Sequence, residues 1–179
     1  MLVAKQKRKE NIAEYILYLY QVEDLIRAFQ FDMTLIEDKL VASYQADEET
    51  KKEISNWYNN LVLMMDKEGV REKGHMQFLS NLIADLYDFH LKLMETGKDK
   101  VYVQVFQAVA GLLTELKQRN PKAKNDVDVA ITGIYGFLLL KMQQKKISNE
   151  TSEAIKQISK WLNVLSKLYK EFETGEFEI

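Results

Sequence analysis

NIAEYILYLYQVEDLIRAF, residues 11–29, carries its apolar side chains at helical spacing. Projected at about 100° per residue, Ile12, Tyr15, Ile16, Leu19, Val22 and Ile26 fall in a single arc. The stretch therefore predicts an amphipathic helix with one buried face, drawn over about 5–29 to include the cations that precede it.

The same spacing returns along the chain. A short helix is predicted over about 34–44 with Leu35, Ile36, Leu40 and Val41, and a third over about 48–68 behind an Asp47 N-cap. The segment KEGVREKGH reads as a loop. A fourth helix, about 75–96, uses Leu79, Leu82, Ile83, Leu86, Leu93 and Met94, and Gly97 fits its C′ position. A fifth runs over about 99–119 and ends at Pro121. The sixth, about 126–145, is apolar almost all round, which predicts a central helix. The last starts near Ser148 or Asn149 and closes at Gly175.

One proline and seven glycines in 179 residues leave little turn chemistry, against average usage near 5% and 7%. Helices of about 20 residues are about 30 Å long, and short connections pack neighbours antiparallel. The expectation is an all-α fold: a single bundle of six to seven mostly antiparallel helices, one domain over 1–179. A chain of this size buries roughly 70% of its unfolded surface and needs no staple. It has no cysteine, which excludes a disulfide framework, a zinc–thiolate site and a thiol nucleophile.

A net charge of −2 gives no overall pull toward nucleic acid or anionic membrane. The longest apolar run, VAITGIYGFLLL over 129–140, falls short of the about 20 residues that span a bilayer. The basic start has no apolar signal-peptide region behind it. The expected location is the cytoplasm, with no membrane span.

Phosphate-loop, Rossmann, HExxH and GxSxG patterns are absent. A bundle di-metal site asks for Glu-x-x-His on two helices; Glu72 stands three residues before His75, in the segment read as a loop, but His90 has no such Glu, so the pair of motifs is incomplete. Asp85 and Asp88 lie off the His90 face. No metal and no cofactor is expected.

Glu23 falls inside the apolar arc of the first helix, with Arg27 one turn on at ion-pair spacing. His90 falls at the centre of the fourth helix's apolar arc. An unpaired buried charge is costly, so Glu23, Arg27 and His90 are predicted to meet. They would form either a satisfied network that fixes register or a polar pocket with shifted pKa values. Lys5, Lys7, Arg8 and Lys9 crowd a predicted helix N-terminus, where cations are unfavourable. Their stems could cover the core edge, or they could bind an anionic ligand. The groups Lys117, Arg119, Lys122 and Lys124 are assigned to helix C-termini. Gly133 and Gly136, in the sixth helix, read as a close helix–helix approach, with a backbone cleft for a ligand as the lesser alternative.

The stretches VAKQKRKENIAEYILYLYQVEDLIRA and ISNETSEAIKQISKWL resemble an uncharacterised bacterial family catalogued as a domain of unknown function, along the whole chain. The resemblance implies a small all-helical cytoplasmic protein. It brings no activity, ligand or site residues.

The expected function is a non-enzymatic helical interaction module whose partner is another protein or a second copy of the chain; nucleic acid is disfavoured. Tyr18, Phe29 and Phe31, off the main stripe, suggest cover for another helix or a second subunit. Two alternatives stand beside it: an anionic-ligand or nucleic-acid binder through Lys5, Lys7, Arg8 and Lys9, and an enzyme with a pocket at Glu23, Arg27 and His90.

Overall fold

The periodicity becomes helix throughout the computed structural model, which describes residues 2–179. The helices are α1 (Leu2–Glu10), α2 (Ile12–Ala28), α3 (Met33–Lys39), α4 (Glu48–Lys67), α5 (Gln77–Thr96), α6 (Lys100–Arg119), α7 (Asp126–Met142) and α8 (Asn149–Glu173). A 3-10 turn over Val41–Ser43 follows α3. There is no strand among the described residues.

The count is eight rather than six to seven, because the first predicted helix is two. Asn11 is extended (φ −154°, ψ 110°), and its side chain accepts the Glu14 N–H, so it caps α2. The break also reverses the electrostatic reading of the cations. Lys7, Arg8 and Lys9 occupy the last turn of α1, the negative end of a helix dipole, where cations are favourable.

Other boundaries follow local chemistry. Asp47 accepts the Thr50 N–H and Ser148 the Thr151 N–H, each as an N-cap. Gly97 closes α5 in the left-handed region, at φ +58°, a conformation that costs glycine little. Asn120, which precedes Pro121, ends α6.

The buried apolar residues form one cluster drawn from α2 to α8. α8 packs on α6 and α7, and α7 also packs on α2, α5 and α6. The first half of α7 is buried through Val127, Val129, Ala130 and Ile131. Its far end is not, with Leu140 and Met142 exposed, so only that first half is central. At Gly133 of α7 the Leu116 side chain of α6 fills the space a Cβ would take: a Cβ there would sit 2.3 Å from Leu116 Cδ2. Gly136 has no heavy atom within 4 Å of an added Cβ, so close approach explains only the first of the pair.

Candidate functional site

Helix α5 begins at Gln77 behind an N-cap residue, Met76, that offers no side-chain cap. The first backbone N–H groups of a helix need acceptors, and here two distant carboxylates supply them. Glu23 Oε1 accepts the Met76 N–H at 2.8 Å and Glu68 Oε2 accepts the Gln77 N–H at 2.6 Å. Negative charge at that end also suits the dipole. Glu23 is fully buried, so its second oxygen needs a partner as well, and finds His75 Nδ1 at 2.5 Å.

His75 is held on its face too. Its ring stacks on Tyr20, with centroids 3.4 Å apart and planes 7° from parallel. Tyr135 meets Tyr20 edge-on at 5.4 Å, and the Tyr135 hydroxyl donates to Asp24 Oδ2 at 2.5 Å. Burial pushes the Tyr20 and Tyr135 hydroxyls above the usual tyrosine range; both remain protonated donors at neutral pH.

Arg27 fixes the loop that carries His75. Its guanidinium pairs with Asp24 Oδ1 at 2.8 Å and donates to Val70 O at 3.1 Å and Gly74 O at 2.5 Å. The planar fork of an arginine suits such a multi-point grip. Adjacent turns of α2 thus hold both ends of the loop, Glu23 through His75 and Met76, Arg27 through Val70 and Gly74.

A carboxylate only accepts hydrogen bonds, so in its neutral form the His75 ring donates Nδ1–H to Glu23 and keeps a lone pair on Nε2. Among the described residues Nε2 has no hydrogen-bond partner. The ring lines a cleft of about 550 Å³ between α2, α5 and the α6–α7 connection. Its walls carry Tyr20, Gln77, Ser80, Asn81, Asn120, Lys122, Lys124, Asp128 and Thr132. A larger hollow of about 820 Å³ runs along α8, but one helix supplies all its lining.

The predicted trio is not one cluster. Glu23 and Arg27 engage the same loop, and Arg27 pairs with Asp24 rather than Glu23. His90 lies 14 residues beyond Met76 on α5, about 21 Å along the axis, and belongs to a second network. Its Nδ1 is 2.5 Å from the Tyr102 hydroxyl, which accepts the Trp161 indole N–H at 3.2 Å. Indole only donates, so Tyr102 gives its own proton to His90. Burial lowers the His90 pKa. The expected meeting of Glu23 with His90 is therefore corrected: the partner of Glu23 is His75.

The basic start is partly engaged. Lys7 pairs with Glu14 at 3.1 Å, and Arg8 makes a two-point bridge to Glu173 at 2.8 and 3.0 Å. That bridge raises the Arg8 pKa further. Lys5 and Lys9 remain exposed. Tyr18, Phe29 and Phe31 pack against the chain's own core, and Arg71 covers the Phe31 ring at 4.3 Å. Among the described residues no helix is long and apolar enough to cross a membrane, and no three His, Cys, Asp or Glu side chains gather as a metal site.

The model of the family described as Domain of unknown function (DUF4924) matches residues 1–176. No curated protein and no solved structure matches the chain.

Proposed function

The chain belongs to the DUF4924 family, and from that premise we propose a non-enzymatic helical binding module, an antiparallel bundle whose recognition site is the His75 cleft. One observation carries the reading: a fully buried carboxylate, Glu23, orients a partly exposed imidazole whose free nitrogen borders a polar cleft. Preset polar groups of this kind fix a ligand's orientation.

Binding is favoured over catalysis because no nucleophile is joined to the ring. Ser80 shares the cleft but makes no hydrogen bond to His75 among the described residues, and the Thr132 hydroxyl donates to Asp128 O. A general base must reach the proton it removes.

The chain has two histidines, which makes the test simple. Proton–carbon NMR of the imidazoles reports the cleft through His75, and the distant network through His90 as an internal reference. Pools of small polar compounds are expected to move the His75 signals and leave His90 in place. Pools that move neither signal, or both equally, would contradict the assignment.

A further inference from the structure

The cleft carries a charge pattern that narrows its ligand. Lys122 and Lys124 lie beyond the end of α6 at Arg119 and before Asn125, the N-cap of α7. Their assignment to a helix C-terminus therefore does not hold; they stand outside the last turn of α6. Both are exposed, both line the cleft, and among the described residues neither enters an ion pair. The carboxylate in the same wall, Asp128, is turned toward backbone: its Oδ2 accepts the Lys124 N–H at 2.8 Å. In the same lining, the neutral form of His75 offers an acceptor at Nε2.

We infer that the cleft binds a small anion that also bears a hydroxyl or N–H group. Lys122 and Lys124 take its charged oxygens and His75 Nε2 takes its donor. The inference rests on the binding role proposed above and adds the ligand's chemical class. Ammonium groups act as point donors to phosphate and carboxylate oxygens. A volume near 550 Å³ is within the range of small-molecule sites. A polyanion is disfavoured by the net charge of −2, since nucleic-acid binders draw on many phosphate contacts.

Calorimetry on the full chain with glycerol phosphate, gluconate and glycerol tests this. Saturable binding of glycerol phosphate or gluconate is expected, with glycerol binding at least tenfold more weakly; which anion wins separates phosphate from carboxylate. The K122Q/K124Q double variant changes only exposed side chains and is expected to weaken the anion at least tenfold. Anions that bind no better than glycerol, or that the double variant holds equally well, would overturn the inference. If glycerol or another neutral compound still moved the His75 signals, the cleft would stand and only the anion would fall. If no compound of either kind moved them, both would fall.

Discussion

Glu23 on α2 and His75 on the loop before α5, 52 residues apart in sequence, share a hydrogen bond of 2.5 Å. The same carboxylate caps the first free N–H of α5, so one side chain starts a helix and orients an imidazole. The start of α5 and the orientation of the ring are coupled at that carboxylate.

Glu23→Ala leaves the buried Met76 N–H without its acceptor and is expected to cost about 1–3 kcal/mol, the range for a stranded buried donor. Glu23→Gln keeps an acceptor for Met76 and should cost less. Urea unfolding of both variants measures the difference. An alanine variant within about 0.5 kcal/mol of the parent would show that α5 needs no cap from α2.

Arg27→Lys keeps the charge but loses the fork that reaches both Val70 O and Gly74 O. We expect a loss of about 1–2 kcal/mol, in the range of charged hydrogen bonds. Faster amide exchange is expected over residues 70–76, with α8 unchanged. Equal exchange in the loop would mean that Arg27 does not hold it.

His90 sets a pH dependence. Burial lowers its folded pKa below the ordinary value of 6.5, so the unfolded chain takes up that proton first. The contribution is fully present above about pH 6.5 and is lost as pH falls below it, toward the folded pKa. His90→Gln removes the titration. Stability measured from pH 7.5 to 5.5 should fall more steeply in the parent than in the variant. Parallel curves would contradict the buried neutral ring.

The glycines of α7 should respond unequally. Gly136→Ala gains helix propensity with nothing to meet and should stabilise by about 0.5–1 kcal/mol. At Gly133 the new methyl would lie 2.3 Å from Leu116 Cδ2, so the end of that half-buried side chain must swing aside, a cost set against the same gain. Gly133→Ala should therefore melt below Gly136→Ala. Equal melting temperatures would mean the α6–α7 contact is looser than described.

Most of the fold was legible because most of the helices keep their apolar faces at helical spacing and several carry side-chain caps, such as Asp47 and Ser148. The break at Asn11 was not legible from the wheel, since the apolar arc begins at Ile12 and says nothing about the backbone before it. The signal was nonetheless present: asparagine is a strong N-cap. Glu23 was found because a carboxylate on an apolar face needs a partner. Its partner was missed because His75 lies in KEGVREKGH, and periodicity cannot orient a loop side chain. One clue survives in the sequence. The helix that follows starts at HMQF with no Ser, Thr, Asp or Asn to cap it, which points to a cap arriving from elsewhere.

Glu23 fixes His75 through Nδ1 and leaves Nε2 toward the cleft, while His90 is held the other way round by Tyr102. Long-range proton–nitrogen NMR of the two neutral rings tests it most directly. The account predicts opposite tautomers, with the proton on Nδ1 in His75 and on Nε2 in His90. A His75 ring protonated on Nε2 would contradict it, because no acceptor would then face the cleft.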